Sequence, residues 1–273
     1  MNTMDNRHGA AATLPKISVV TINYNMGDEL AGTIESVLNQ NYPNLEYIVI
    51  DGGSSDSSVE VIKRYPKIHY WISERDKGRY YAMNKGVQAA SGEWVIFINS
   101  GDRFHDPSVV TDVFQAQNYA GADLVYGHVL RRYPTEGVQR VIPAQDLTTL
   151  PLRMPCSHQS LFARRSLLLE HPFSSELSIA ADHDFMLRAR LAGSQFRKVE
   201  RTISIFSTGG ISDRQRLEAL RQISAVLRRL GLLTWRLRIT HGTMVARALF
   251  GARMKQIMPR RMTAWILEHK TFD

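Results

Sequence analysis

The sequence predicts an α/β protein: an open, mostly parallel β-sheet covered by helices on both faces and followed by a basic helical extension. Three observations predict it. Short β-branched apolar runs alternate with segments of helical periodicity over the first half of the chain, the pattern of βαβ units. Clusters of Asn, Asp, Gly and Ser follow those runs, at the strand ends where open parallel sheets place their ligands. The excess positive charge lies entirely at the end of the chain.

The elements follow in order. Residues 1–15 read as a flexible leader ending at Pro15. Ile17–Ile22 is a strand bounded by Asn23, Tyr24 and Asn25. Leu30, Ile34, Val37 and Leu38 recur at helical spacing. Leu45–Ile50 is a second strand. Ser54, Ser55 and Asp56 are turn and cap residues before a helix around Val59–Arg64. Ile68–Ile72 reads as a third strand, Tyr81–Ala90 as a helix stopped by Gly92, and Glu93–Ile98 as a fourth strand ended by Asn99–Asp102. Beyond it, Val109–Tyr119 reads as a helix and Leu124–His128 as a strand. Residues 129–156, with Pro134, Pro143, Pro151 and Pro155, read as irregular. Ser160–Arg164 and Phe196–Phe206 read as strands, and His183–Leu191 as a helix. From Arg214 the pattern is helical, interrupted by Gly231, Gly242 and Pro259.

Composition narrows the function. The chain has 273 residues, 44% hydrophobic and 22% charged, enough to bury a core. One cysteine, Cys156, closes no internal disulfide and builds no multi-cysteine zinc site. No apolar run reaches the roughly 20 residues that span a bilayer, and the first residues do not form a signal peptide, so the expected compartment is the cytoplasm. The formal net charge is +8, but the last 61 residues carry 13 basic against 4 acidic side chains while the rest carries 21 against 22. That is a near-neutral body with a cationic tail, not a nucleic-acid binder.

The polar segments Asn23–Asn25, Asp51–Gly53 and Asn99–Asp102 converge if the first and fourth strands are neighbours and the second lies on the other side of the first. Asp51 precedes two glycines that let a ligand approach the backbone, and its carboxylate suits a ribose or a base. Asp102 offers the oxygen that Mg²⁺ and Mn²⁺ prefer, and such an ion would neutralise a diphosphate. The competing reading is that both acids cap turns. No GxGxxG follows the first strand and no GxxxxGK[ST] occurs, so a Rossmann dinucleotide turn and a P-loop are absent.

PKISVVTINYN, EYIVIDGGSSDSS and ERDKGRYYAMNKGVQAASGEWVIFINSGD together resemble the nucleotide-sugar half of family 2 glycosyltransferases, which have the GT-A fold. MPCSHQSLFARRSLL, ADHDFMLRARLAG and FSTGGIS resemble the branch that builds bacterial exopolysaccharides such as colanic acid. The resemblance spans about residues 15–212 and implies a catalytic domain over 16–212, with a donor half (16–128) and an acceptor half (129–212), before an extension over 213–273. It implies that Thr21, Asn23, Tyr24, Asn25, Asp51 and Gly52 hold base and ribose. Asp76, Gly78, Asn84 and Lys85 would line the donor pocket. Asn99, Ser100, Gly101 and Asp102 would form the DXD-like site for sugar and metal-bound diphosphate. Asp182 would be the catalytic base, with His158 and Gly209–Gly210 on the acceptor or phosphate side. Relatives often carry a second acid at the position of Gly52, Asp in place of Tyr81 and an aliphatic residue in place of Arg79. NSGD leaves Asp102 as the one carboxylate of its motif.

The reaction implied is inverting transfer from a nucleotide-diphosphate sugar, with Mg²⁺ or Mn²⁺, to a saccharide or polyprenyl-diphosphate-linked acceptor. Asp182 also reads as an N-cap of the helix near His183, and Asp184 as an alternative acid. His158 also reads as a structural histidine, as do His69, His105, His128 and His171. Other activities kept open are nucleotidyl transfer, although TINYNMGDEL lacks a basic phosphate loop, and an inactive nucleotide-binding, membrane-associated protein. In the extension, Leu220, Ile223, Leu227 and Leu230 form one apolar stripe and Met244, Val245, Ala248, Leu249 and Ala252 a second, with Trp265 beyond. Basic amphipathic helices of this kind lie on anionic membranes, which would put the protein peripherally on the inner face of the cell membrane. The alternative is packing on the body.

Overall fold

The computed structural model describes residues 14–115, 119–208 and 215–257. The first strands form as their apolar runs predict: β1 (Ile17–Asn23), β2 (Leu45–Asp51), β3 (Tyr70–Ser73) and β4 (Trp94–Phe97) lie parallel in the order β3-β2-β1-β4. Successive residues feed opposite faces. Val20, Ile48, Ile50 and Phe97 pack under α3 (Arg79–Ala89), while Val19, Tyr47, Val49 and Trp94 pack under α1 (Gly27–Leu38). Both faces are therefore covered, which explains why β2 is apolar nearly throughout. α3 approaches β1 so closely that a Cβ on Gly86 would stand 2.4 Å from Val20 Cγ1. The short α2 (Ser58–Lys63) follows the serine-rich loop, and β5 (Arg103–Phe104) and α4 (Val109–Phe114) follow β4.

Beyond β4 the sheet continues as β8 (Leu161–Arg164), β6 (Leu124–Tyr133), β9 (Phe196–Ser207) and β5, now with mixed directions. β7 (Val138–Ile142) pairs with β6, so the segment 129–156 is not irregular throughout. Its first part is a hairpin hidden in the sequence because Arg131, Arg132 and Arg140 break the apolar alternation. The second half of β6 lies between two other strands, and ladder hydrogen bonds hold it with little help from burial. The boundary proposed at residue 128 falls inside β6.

α5 (Arg165–Glu170) and α6 (Ala181–Leu191) cover the same face as α3. α6 begins two residues earlier than the sequence suggests, and its N-cap is Ala180, so Asp182 is not the cap. The extension folds as α7 (Arg216–Arg229) and α8 (Trp235–Ile257). Gly231 divides them, but Gly242 does not interrupt α8. An exposed helical glycine costs only about 1 kcal/mol relative to alanine, too little to end a 23-residue helix. The remaining expectation, a break at Pro259, and Trp265 lie outside the described residues.

Candidate active site

The parallel register brings Asn23 beside Asp51 and Asp51 beside Ser73, so three polar residues stand abreast where β1, β2 and β3 end. Asp51 is fully buried. Its Oδ1 accepts from Asn23 Nδ2 (2.7 Å) and Ser54 Oγ (2.6 Å), and its Oδ2 from the Ser54 amide (2.9 Å) and Ser73 Oγ (2.6 Å). Burial alone would raise its pKa, but these donors, Ser54 foremost and then Ser73 and Asn23, hold it below the usual value. The carboxylate is thus occupied by the protein. It closes the loop that carries Asn25, whose positive φ of 51° is fixed by bonds from its amide to Ser54 Oγ and from the Ser55 amide to its Oδ1.

Above this floor lie the groups with capacity to spare. Tyr24 is 64% exposed. A Cβ on Gly52 would stand 3.3 Å from Tyr24 Cδ2 and 3.6 Å from Asp76 Oδ2, so the bare backbone of Gly52 leaves those two side chains facing one hollow. Asp76 Oδ1 receives Lys85 Nζ at 2.6 Å, and Lys85 also reaches Glu74. Burial pulls the Lys85 pKa down, but the two carboxylates outweigh it and raise it. Asp76 Oδ2 is buried with no partner among the described residues. Gly78 (φ 129°) begins α3. Two predicted residues stand apart. Thr21 is fully buried and bonds the Ile98 carbonyl (2.6 Å) and Tyr47 hydroxyl. Asn84 spends both ends of its amide on the Phe173 backbone.

Asn23 links this loop to the next, accepting from Ser100 Oγ at 2.7 Å. The Gly101 amide donates to Thr33 Oγ1, and that hydroxyl donates to the Asp102 carbonyl, so α1 fixes the turn after β4. Asp102 is buried with one side-chain donor, Gln159 Nε2 at 2.9 Å, and burial pushes its pKa up to about 7.

Gln159 belongs to a 3₁₀ turn, His158–Ser160, whose first residue, His158, faces the other acid, Asp182. His158 Nε2 meets the Asn99 amide at 2.9 Å, and its Nδ1 lies 3.7 Å from Asp182 Oδ2. Two consecutive side chains of one turn therefore approach Asp102 and Asp182. Burial, reinforced by Arg79, lowers the His158 pKa against the opposing pull of Asp182, so the ring is neutral near pH 7. Asp182 Oδ1 accepts from the His183 amide (2.9 Å) and faces Tyr80 Oη at 3.4 Å, while Oδ2 faces His158. Burial, then Asp182, raises the Tyr80 pKa, so that hydroxyl stays protonated. An apolar cavity lined by Met83, Phe97, Phe173 and Phe185 lies between these polar groups and the core. Asp184 is not in the cleft: its buried carboxylate pairs with Arg188 and Arg229. Gly209–Gly210 lie outside the described residues.

Among the described residues no cluster of three or more His, Cys, Asp or Glu could hold a metal by itself. The residues still suit a hard cation shared with a substrate. Asp102 is a carboxylate with one side-chain donor, Asn99 Oδ1 is a buried oxygen without a partner among the described residues, and Mg²⁺ commonly takes one or two carboxylates plus phosphate oxygens and water. The site residues not foreseen are Gln159, Ser54, Ser73 and Tyr80. Ser73 was findable, since the strand-end rule applied to β3 selects it.

The model of glycosyl transferase family 2 matches residues 18–168. The chain belongs to that family. Glycosyltransferase Rv1514c of Mycobacterium tuberculosis is 39% identical over 184 residues, 65% of this chain and 70% of its own. A PGL/p-HBAD biosynthesis glycosyltransferase of Mycobacterium bovis is 28% identical over 180 residues, 64% of this chain and 69% of that one. The mannosyltransferase PcManGT of Pyrobaculum calidifontis, solved with GDP-Man and Mn²⁺, superposes with a TM-score of 0.64 at 14% identity, over 96% of this chain and 77% of that one. The mixed sheet with its parallel first half is the GT-A fold, and the protein is a glycosyltransferase.

Proposed function

We propose that this glycosyltransferase inverts configuration while moving a sugar from a nucleoside-diphosphate donor to a saccharide or lipid-linked acceptor in cell-surface polysaccharide synthesis. The observation that supports the reading is the His158–Gln159 turn, whose side chains approach an under-satisfied acid, Asp102, and a second, partly exposed acid, Asp182. The base and ribose would lie against Tyr24, Gly52 and Asp76, with Asp51 and Asn23 shaping the loop beneath. The diphosphate would lie against Ser100–Asp102. A divalent cation held by Asp102 and Asn99 would, when bound, offset the charge of the departing diphosphate. Asp182 would take the proton of the acceptor hydroxyl as its oxygen attacks the anomeric carbon and the bond to the diphosphate oxygen breaks, the electron pair leaving on the diphosphate. One base on one face of the sugar suits a single displacement.

The test is Asp182→Asn. Turnover falls about 10²–10⁴-fold, while the rise in melting temperature with UDP or GDP plus Mn²⁺ is retained. Wild-type turnover in this variant removes the assignment.

The extension supports peripheral membrane attachment by α8. The first apolar stripe is used internally, since Leu220 and Leu227 are buried in the body. On α8, Trp235, Ile239, Ala246 and Leu249 share one exposed face at helical spacing, with exposed Arg236, Arg238 and Arg247 beside it. No helix among the described residues is long and apolar enough to cross a membrane. An apolar stripe flanked by arginines suits the interface of an anionic bilayer. Trp235→Glu with Ile239→Glu lowers co-sedimentation with phosphatidylglycerol vesicles by about an order of magnitude. Unchanged sedimentation counts against attachment through α8.

A further inference from the structure

We infer that α7, the first helix of the C-terminal extension, is part of the catalytic unit, and that Gln222 and Arg229 are positioning residues for Asp182. This rests on the reading of Asp182 as the base. α6 starts without a side-chain cap, so its first amides need partners from elsewhere. Gln222 Oε1 supplies them to the residues just ahead of the helix, accepting from the Ile179 amide at 3.1 Å and the Ala180 amide at 3.3 Å. Gln222 Nε2 is held in turn by Ser178 Oγ (2.8 Å) and Glu218 Oε1 (3.1 Å). From the opposite side, Tyr80 Oη donates to the Ile179 carbonyl. The peptide that leads into Asp182 is thus gripped between α7 and the helix of the donor side.

Two turns along α7, Arg229 Nη2 reaches Asp184 Oδ1 at 2.5 Å, while Arg188 Nε takes the other oxygen at 2.9 Å. Asp184 is two residues from Asp182 and its side chain is only 1% exposed. Val226 and Leu227 lie buried in the same cluster as Ala181 and Phe185. Two polar ties and an apolar seam therefore set where α6 begins, and with it the distance from Asp182 to His158 and Tyr80. A displacement of about 1 Å at a reacting group can cost about 10²-fold in rate. The donor loops of β1, β2 and β4 make none of these contacts.

The experiment uses the full chain and follows nucleoside diphosphate released from UDP-glucose, UDP-N-acetylglucosamine and GDP-mannose with Mn²⁺. Rates are normalised to the folded fraction from thermal melting. Gln222→Met and Arg229→Met are expected to lower kcat about 10- to 100-fold with donor KM within about twofold, and to move the acidic limb of the kcat pH profile, the side on which a general base is lost. The exchange Glu218→Gln with Gln222→Glu keeps an acceptor for both amides and restores most of kcat. Wild-type kcat per folded molecule in Gln222→Met and Arg229→Met, beside an inactive Asp182→Asn, overturns this inference alone. An active Asp182→Asn overturns the base assignment and this inference with it.

Discussion

Asp51 ends the parallel strand β2 and Asp102 closes the turn that follows β4; both are buried, yet their carboxylates are in opposite states. Asp51 receives four hydrogen bonds from Asn23, Ser54 and Ser73, and its pKa is held down. Asp102 receives one, from Gln159, and burial lifts its pKa to about 7. A buried charge without partners is costly to the fold. The contrast separates an acid that completes the protein's own structure from one left to be completed by something that binds. The residue type is the same in the two cases; the backbone setting and the number of donors aimed at each differ.

The sharpest way to break the comparison is Asp102→Asn. If Asp102 waits for a cation and a diphosphate, nucleoside diphosphate release falls about 10²–10³-fold, the loss typical of removing one transition-state contact, and Mn²⁺ no longer raises the melting temperature with UDP or GDP. A purely structural Asp102 would leave turnover and the Mn²⁺ effect in place. Next in size is Asp51→Ala. It leaves the buried donors of Asn23, Ser54 and Ser73 without an acceptor, so urea unfolding shows a loss of about 2–4 kcal/mol, and nucleotide binding weakens only because the loop is released.

The two acids also oppose each other in pH. Asp51 titrates below its unfolded value, so its contribution is full above about pH 4 and is lost as the pH falls through its folded pKa. Asp102 titrates above its unfolded value, so its contribution is full in acid and lost as the pH rises through about 7. In EDTA, Asp102→Asn is expected to gain stability over wild type as the pH rises from 5 to 9, by about 1–4 kcal/mol. Thermal melting across that range checks it, and a flat difference would show that Asp102 is not strained.

The sequence makes the frame of this site legible and conceals its wiring. β1, β2 and β4 announce themselves because strands buried on both faces must be apolar throughout, and the polar residues ending them then mark the cleft. Part of what distinguishes Asp51 from Asp102 is local, since Ser54 gives Asp51 two of its four bonds, and part comes from distant segments: Ser73 from β3, and Gln159 from a turn 57 residues beyond Asp102. Thr21 illustrates the converse error. It stands on the same face of β1 as Asn23 but two residues deeper along the strand, and its hydroxyl is spent inside on Ile98 and Tyr47. The β6–β7 hairpin escaped notice because its arginines interrupt the pattern by which strands are read. The grip of α7 on α6 runs through Gln222 and Arg229, polar residues outside the apolar stripe by which the extension is read.

The smallest expected effect tests the comparison most finely. Ser73→Ala removes one of the four donors to Asp51 without creating a charge or a large cavity. Because Oδ2 keeps the Ser54 amide and Oδ1 keeps both its partners, the cost is that of a single hydrogen bond to a charged acceptor, about 1–2 kcal/mol. The loss should be full at pH 7 and shrink only as the pH falls through the depressed folded pKa of Asp51, where the carboxyl protonates and the missing donor matters less. Chemical denaturation of wild type and variant at pH 7 and at an acid pH below that transition measures both values. An equal loss at the two pH values would mean that Ser73 stabilises the end of β3 by packing alone, and that the four-donor account of Asp51 overstates the hydroxyl's share.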